Sequence, residues 1–164
     1  MSQSVFTLAH TFDAPKESVF AAFTTAEALN QWWGPTISRN SVLSLDFRPG
    51  GIFRYKMEGA QGTSYGRFLY HTIQPHDLLE FTVSFTDADG NVVAPAFAPD
   101  FPLGVRYRFE FNETGDKTKV EITGVPENAT EKNLAAFNGL GASMKVGFGG
   151  TMEQLAKYLE SVSA

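Results

Sequence analysis

Histidine is the side chain that most readily acts as an acid, a base or a metal ligand near neutral pH, and the chain has three, His10, His71 and His76. They lie far apart in the sequence, and none belongs to the His-x-x-x-His pattern that places two metal ligands on one face of a helix. His76 falls in a predicted turn. His71 falls near the middle of a predicted strand and is the one histidine that could point into a cavity. We therefore expect no metal site, and His71 is a candidate pocket residue.

Patterns for nucleophilic catalysis and phosphate binding are also missing. The chain has no cysteine, which excludes a disulfide framework and a thiolate metal site. Ser64, Ser84 and Ser143 lack the context of a nucleophile elbow. Gly149 and Gly150 fall inside a predicted helix rather than after a strand, unlike the glycines of a phosphate loop. We expect no catalytic set and no cofactor.

The composition limits the class of partner. The net charge of -5 and the pI near 5.1 argue against a nucleic-acid ligand, which needs a basic face. No stretch is long and apolar enough to cross a bilayer, and the first ten residues do not resemble a signal peptide. We expect a cytoplasmic protein with one domain over residues 1–164 and no membrane insertion. Its 15 phenylalanines suit either a plain core or an apolar pocket.

The C-terminal stretch, residues 128–161, has the pattern of a long helix with one buried face. Asn128 followed by Glu131 fits a capping box, which predicts the start of the helix. Steps of three or four residues connect an apolar stripe, which consists of Leu134, Phe137, Met144, Phe148, Met152, Leu155 and Leu159.

Five glycines lie inside this predicted helix, where each costs about 1 kcal/mol relative to alanine. They are Gly139, Gly141, Gly147, Gly149 and Gly150. Two explanations remain open. The helix breaks near Asn138–Ala142 into a short and a long segment, or side chains are missing where the helix faces a cavity.

The chain before this helix has mainly the pattern of antiparallel strands. Val5–Phe12 predicts the first strand, and two short helices follow, with Asp13 and Thr25 as their expected N-caps. From Ser38 the apolar residues alternate with polar ones, and Arg-Pro-Gly-Gly at 48–51 predicts a hairpin turn. This alternation predicts six further strands, around residues 43–47, 53–57, 65–73, 78–85, 105–111 and 119–124.

The segment 87–104 interrupts this pattern. Its three prolines make a continuous strand unfavourable, and a loop this long in a compact domain is usually functional. Phe97 and Phe101 are large rings that need cover. One hypothesis is a lid whose rings point towards Trp32 or Trp33 at the mouth of a cavity. The alternatives are a plain surface excursion and a contact in a homodimer.

Four motifs together resemble a known family. Phe-Asp-Ala-Pro at 12–15 with Trp-Trp-Gly-Pro at 32–35 is similar to the opening of the activator of heat-shock-protein-90 ATPase homologue-like proteins. Arg-Pro-Gly-Gly at 48–51 is similar to a second signature of that family, and Gly147-Phe148 to its closing helix. These proteins belong to the START-like superfamily (SRPBCC, or birch-pollen-allergen fold). The resemblance covers nearly the whole chain.

This resemblance implies an α+β helix-grip fold, a curved antiparallel sheet of about seven strands wrapped around the long C-terminal helix. It also implies that a small apolar or amphipathic molecule binds between sheet and helix. The expected lining consists of the large side chains on the predicted inner faces, together with His71: Trp32, Trp33, Phe53, Tyr55, Phe68, His71, Phe81, Phe97, Phe101, Tyr107, Phe137, Met144 and Phe148.

Three functional classes stay open at this stage. A carrier or sensor requires only the pocket. An enzyme, such as the cyclases and hydrolases on related scaffolds, requires an acid or base inside it, for which His71, or Glu58 with Tyr65, are the candidates. An interaction module requires an exposed apolar patch. Because the chain begins at the predicted first strand, without the preceding domain of the eukaryotic co-chaperones, a co-chaperone role is not expected.

Overall fold

The alternation of apolar and polar residues produces one antiparallel sheet, and the helices cover one of its faces. The computed structural model describes residues 5–34, 38–60, 62–95 and 98–163. Its elements, in chain order, are β1 (Phe6–Phe12), α1 (Lys16–Ala21), α2 (Ala26–Trp32), β2 (Ser38–Leu45), β3 (Ile52–Gly59), β4 (Gly62–Gln74), β5 (Leu78–Thr86), β6 (Val105–Thr114), β7 (Lys117–Pro126), α3 (Glu131–Gly139) and α4 (Gly141–Ser163).

The seven strands are arranged in the order β1-β7-β6-β5-β4-β3-β2, and every neighbouring pair is antiparallel. Strands that follow one another in sequence therefore pair as hairpins, except that β1 pairs with the last strand. The sheet curves around α4, which confirms the predicted helix-grip fold. The predicted hairpin with its turn at 48–51 joins β2 to β3.

Successive side chains of a strand point to opposite faces of the sheet, and the inner face carries the large rings. Phe53, Phe68, Phe81 and Phe109 each expose at most 1% of their surface. Between them on the same strands lie Arg54, Arg67, Glu80 and Arg108, which therefore point to the outer face.

The N-caps agree with the prediction for one helix and differ for two. Thr25 caps α2 by accepting a hydrogen bond from the Ala28 N–H, as predicted. Pro15, not Asp13, is the N-cap of α1, and no side chain caps that helix. The capping box of α3 is Thr130 with Asn133, not Asn128 with Glu131.

The reason for the last difference is a tertiary contact. Asn128 has a left-handed backbone (φ 48°) and therefore belongs to the turn that leaves β7. Asn133 closes the capping box with its side-chain oxygen, and its Nδ2 donates to the carbonyl of Asp100 at 2.8 Å. The long-range contact with Asp100 moves the helix start beyond the local signal.

The break in the C-terminal helix, one of the two explanations for its glycines, is present in the structure. α3 ends at Gly139, Leu140 has non-helical dihedrals (φ -99°, ψ 3°), and α4 begins at Gly141. The two parts of α4 are buried to different extents. Met152, Leu155 and Leu159 are buried, whereas Met144 and Phe148 nearer the N-terminus are half-buried.

The segment 87–104 forms no strand in its described part apart from one bridge between Thr86 and Val92. Phe101 is buried, whereas the prediction for Phe97 concerns a residue outside the described ones. Among the described helices, none is long and apolar enough to cross a membrane.

Candidate functional site

Six aromatic rings meet between the sheet and the N-terminal half of α4. We call them the aromatic cluster: Trp33, Tyr55, Phe68, Phe81, Tyr107 and Phe148. Five of them form a closed circuit of ring contacts. On the sheet side, the ring centroids are 4.9 Å apart for Trp33 and Phe68, 4.1 Å for Phe68 and Phe81, and 6.3 Å for Phe81 and Tyr107. Phe148 of α4 closes the circuit, at 5.2 Å from Tyr107 and 6.4 Å from Trp33. Tyr55 joins the circuit through Trp33 at 5.6 Å.

Two glycines on neighbouring strands make room for the tyrosine rings. Gly66 is paired with Tyr55, and a Cβ added to Gly66 would lie 2.5 Å from Tyr55 Cζ. Gly124 is paired with Tyr107, and its Cβ would lie 2.5 Å from Tyr107 Cε1. Each ring therefore lies flat over a glycine of the next strand, a close approach that any other residue would obstruct.

The cluster contains polar groups without partners. The Trp33 Nε1 atom is buried and has no hydrogen-bond partner among the described residues. Among the described residues, none forms a hydrogen bond with the hydroxyl of Tyr55, Tyr70 or Tyr107. Burial raises the pKa of all three tyrosines well above the ordinary value, and the electrostatic influence of Tyr55 adds to the shift for Tyr70 and Tyr107. These phenols therefore stay neutral at physiological pH.

Trp33 is held in place from two sides. Its backbone N–H donates to Leu29 at the end of α2. The carbonyl of the next residue, Gly34, accepts hydrogen bonds from Thr151 Oγ1 and Gln154 Nε2 of α4, both at 2.8 Å. Gly34 itself has a φ of 106°, and a Cβ there would collide with the Asn40 side chain. This position therefore requires glycine.

Trp32 takes a different position from its neighbour. Its Nε1 donates to the Ala22 carbonyl at 2.9 Å, and its ring packs on Phe23 at 4.8 Å. The Trp32 and Trp33 rings touch edge to face at 5.8 Å. Trp32 is thus a satisfied core residue, and of the two predicted tryptophans only Trp33 belongs to the aromatic cluster.

The glycines of α4 are not explained by tight packing. A Cβ added to Gly141, Gly147 or Gly149 would meet no atom within 4 Å, the helix's own nearby backbone aside. Gly141 precedes Met144 by three residues and Phe148 by seven, which places it on the sheet-facing stripe of the helix. Open space therefore adjoins the stripe beside the aromatic cluster.

Four of the other predicted pocket residues fall into two groups. Phe53 packs on Phe68 at 4.9 Å, and Met144 packs against the core, so both adjoin the cluster. Phe101 and Phe137 contact each other at 6.1 Å, and Phe101 also contacts Phe85. Phe101 makes no ring contact with Trp32 or Trp33 among the described residues, contrary to the lid hypothesis.

His71 lies on the outer face, not in the pocket. Tyr70 takes the inner position, and a register shift follows it. The His71 Nε2 atom lies 2.7 Å from Thr82 Oγ1, which donates to Glu127 Oε1 at 3.0 Å. The alternative acid–base pair is not in the pocket either. Glu58 is exposed and pairs with Lys56, and Tyr65 lies opposite Lys56 in the register.

Three residues of the site were missed from the sequence. Tyr70 follows Phe68 by two positions and shares its face, so strand periodicity indicated it. Gly66 and Gly124 are glycines inside predicted strands, a signal for close approach by another group. Within the described part of the chain, no group of three or more potential metal ligands occurs.

Surface depressions lined by described residues include two that lie away from the space between the sheet and α4. One, of about 380 Å³, lies along β1 and β7 around Thr7 and Thr123. Another, of about 310 Å³, lies between α2 and α4 around Gln31 and Gln154. In the aromatic cluster, the buried polar atom without a partner among the described residues is Trp33 Nε1.

Comparisons with known proteins agree with this architecture. A family model described as Activator of Hsp90 ATPase homolog 1-like protein matches residues 13–160. The comparison with curated proteins gives no match.

Solved structures with the same fold come from several bacteria. A protein from Arthrobacter aurescens aligns with a TM-score of 0.81 at 24% identity, over 97% of this chain and 87% of its own. Protein Ms6760 from Mycobacterium smegmatis aligns with a TM-score of 0.78 at 22% identity, over 94% of this chain and 90% of its own. The AHSA1 protein from Silicibacter pomeroyi aligns with a TM-score of 0.71 at 17% identity, over 95% of this chain and 97% of its own. At these identities the likeness concerns the fold.

Proposed function

The chain belongs to the Activator of Hsp90 ATPase homolog 1-like family, and from this premise we propose that it binds a small, neutral, largely apolar molecule in the aromatic cluster. Folds of this kind commonly bind hydrophobic ligands. The observation that carries the proposal for this chain is the Trp33 indole N–H, which is buried among aromatic rings without an acceptor.

An unpaired buried donor is unfavourable by about 1–3 kcal/mol. Buried polar groups in native proteins nearly always have a partner, so an exception needs an explanation. A ligand with one acceptor oxygen near Trp33 Nε1 would provide that partner. The same ligand would place its apolar body against Phe68, Phe81 and Phe148.

The charge of the ligand follows from the lining. The aromatic cluster contains no charged side chain, and its own tyrosines, Tyr55 and Tyr107, remain protonated, as does the neighbouring Tyr70. A charged group transferred there would lose its hydration without gaining a counter-charge. We therefore infer a neutral ligand with a carbonyl, ether or hydroxyl oxygen, rather than a carboxylate or an amine.

The route of entry follows from the N-terminal half of α4. Met144 and Phe148 are half-buried, and the break at Leu140 separates this part of the helix from α3. Methionine adapts easily because its chain is unbranched and flexible. A ligand would enter beside Gly141 by displacing Met144 and Phe148, while the buried C-terminal half of α4 stays in place.

Nile red tests the proposal because it is a neutral aromatic probe with a carbonyl acceptor. We expect wild type to bind it with increased fluorescence. Trp33→Phe should weaken binding about ten-fold, the value of one hydrogen bond. Trp32→Phe is the matched control. It should lower the melting temperature, because the Ala22 carbonyl loses its donor, yet leave the dissociation constant unchanged.

A hydrocarbon probe separates the N–H group from the ring area. Diphenylhexatriene has no acceptor, so Trp33→Phe should bind it as wild type does. Gly141→Leu should reduce binding of both probes because it fills the space beside the stripe, whereas Gly149→Leu, on the flank of the helix, should not. Equal binding of Nile red by wild type, Trp33→Phe and Gly141→Leu would falsify the proposed site.

A further inference from the structure

The outer face of the sheet carries two arginines for which the chain provides no counter-charge. Arg54 of β3 and Arg67 of β4 are directly paired in the register. Among the described residues, no carboxylate lies within ion-pair distance of either guanidinium. The residues outside the described ranges include no aspartate or glutamate. No acidic side chain of this protein therefore neutralises them.

This pair differs from the other charged residues on the same face. Arg106 and Arg108 both approach Glu80, at 3.8 and 3.2 Å, and Arg108 also binds Glu110. Like charges directly opposite each other on neighbouring strands are destabilising. Among the described residues, the sheet therefore neutralises one arginine pair with carboxylates and leaves the other without one.

The two unpaired side chains are held down rather than extended into solvent. The Nε atoms of Arg54 and Arg67 are buried and have no hydrogen-bond partner in the described part of the chain. A terminal nitrogen of Arg54 donates to the Ala88 carbonyl at 3.2 Å, and Gly90 packs on the guanidinium, with its Cβ position 3.3 Å from Arg54 Cζ. The Arg67 side chain makes no hydrogen bond with any described residue. Ordered guanidinium groups lose little entropy when they bind a ligand.

The turn over Arg54 contains two acidic residues, Asp87 and Asp89, and neither carboxylate lies within ion-pair distance of a described arginine. The Asp87 carboxylate accepts hydrogen bonds from the Asn91 side chain and from the backbone N–H groups of Asp89 and Asn91. These bonds shape the turn and bring Gly90 onto Arg54. Ser44 and Ser84, which flank the arginine pair in the register, carry no charge, so the row offers the guanidinium groups no carboxylate.

From this arrangement we propose that Arg54 and Arg67 form an oxyanion site that binds a phosphate group. A guanidinium presents parallel N–H donors that match two oxygens of a phosphate, and charge-assisted bonds of this kind are about twice as strong as neutral ones. One tetrahedral oxyanion can bridge both arginines and neutralise the repulsion between them. The site lies on the face opposite the aromatic cluster and is independent of it.

Titration with inorganic phosphate at constant ionic strength tests the site, with calorimetry and the melting temperature as readouts. Wild type should bind phosphate and melt at a higher temperature as its concentration rises. Arg67→Gln and Arg54→Gln should each weaken the dissociation constant about ten-fold or more. Arg106→Gln, an arginine of the same face that has an internal partner, should bind as wild type does.

Thermal melts without phosphate distinguish a loss of binding from a loss of folding. Without phosphate, Arg67→Gln should melt at the wild-type temperature or above it, because one of two like charges is removed. Arg67→Lys keeps the positive charge but lacks the parallel N–H donors of a guanidinium, so it should bind phosphate with an intermediate dissociation constant. Trp33→Phe should bind phosphate unchanged, so a failure of the ligand pocket and a failure of this site are distinguishable.

A phosphate group can come from a free molecule or from a lipid headgroup. Cosedimentation with phosphatidic-acid vesicles, against phosphatidylcholine vesicles, distinguishes the sources. If the protein binds only the phosphatidic-acid vesicles, and this binding requires Arg54 and Arg67, the site is assigned to a lipid headgroup. If the protein binds inorganic phosphate, the site is assigned to a free ligand. No binding in either assay, or equal dissociation constants for wild type, Arg67→Gln and Arg106→Gln, overturns the proposal.

Discussion

Trp32 and Trp33 are consecutive residues with touching rings, yet they belong to two differently built ends of the interior. The Trp32 end consists of α1, α2 and the C-terminal half of α4. There the indole N–H has its acceptor, and Leu155 and Leu159 of α4 are buried. The Trp33 end lies under the N-terminal half of α4, where the indole N–H has no acceptor and Met144 and Phe148 are half-buried.

The difference suggests different roles for the two ends. A core stabilises most when its polar groups are paired and its apolar side chains are covered. At the Trp32 end the indole N–H is paired, and Leu155 and Leu159 are buried. At the Trp33 end the indole N–H has no partner among the described residues, which is why we place the proposed ligand there.

The largest expected effect contrasts the two halves of α4. Leu155→Ala should lower the free energy of unfolding by about 2–5 kcal/mol, because it removes a fully buried side chain at the Trp32 end. Met144→Ala should have a clearly smaller effect, because the side chain is half-buried. Chemical denaturation of both variants measures the difference. Equal losses would show that α4 is packed uniformly, and the contrast between its halves would be wrong.

A second contrast lies within the Trp33 end, between the sheet side and the helix side. Gly66→Ala or Gly124→Ala should destabilise the protein by about 1–3 kcal/mol, since each new methyl group meets a rigid tyrosine ring. Gly147→Ala in α4 should instead stabilise it by about 1 kcal/mol, because its Cβ enters open space and alanine favours a helix. Thermal melts provide the readout. Destabilisation by Gly147→Ala would indicate close packing that the structure does not have.

The smallest effect at neutral pH concerns the buried tyrosines, and it grows only in alkali. A phenol whose pKa is raised on folding binds its proton more tightly in the native state. Its stabilising contribution is therefore present below the unfolded value of about 10 and is lost as the pH rises above it. The free energy of unfolding should decline above about pH 10, and less steeply in Tyr107→Phe. An identical decline in this variant would mean that Tyr107 ionises as freely as in the unfolded chain.

Much of the fold was predictable because its signals are local. Alternation placed the strands, Arg-Pro-Gly-Gly placed the hairpin between β2 and β3, and the glycines near Leu140 indicated the break before α4. The start of α3 was not predictable in the same way. Asn128 and Thr130 are both good N-caps, and contacts of the kind that Asn133 makes with Asp100 depend on a segment 33 residues away.

For the candidate site, the sequence predicted which side chains point to the inner face of the sheet, but not which of them contact one another. Strand periodicity identified Tyr55, Phe68, Phe81 and Tyr107 as inner-face rings, and the helical stripe identified Phe148. These periodicities could not show that Phe101 packs on Phe137 and Phe85 instead of on Trp32 or Trp33. His71 was a candidate because it lies mid-strand, but Tyr70 takes the inner position beside it.

The sequence by itself determined which residues alternate, where turns fall and which helix face is apolar, because these properties depend on residues a few positions apart. Only the tertiary structure decided which tryptophan is satisfied. The acceptor for Trp32 is a carbonyl ten residues away, at Ala22, brought into range by the packing of α1 and α2. Likewise, Arg54 and Arg67 are ordinary charged residues until strand register places them side by side. Hydrogen bonds and ion pairs require contact in space, which the pattern of neighbours in a chain does not specify.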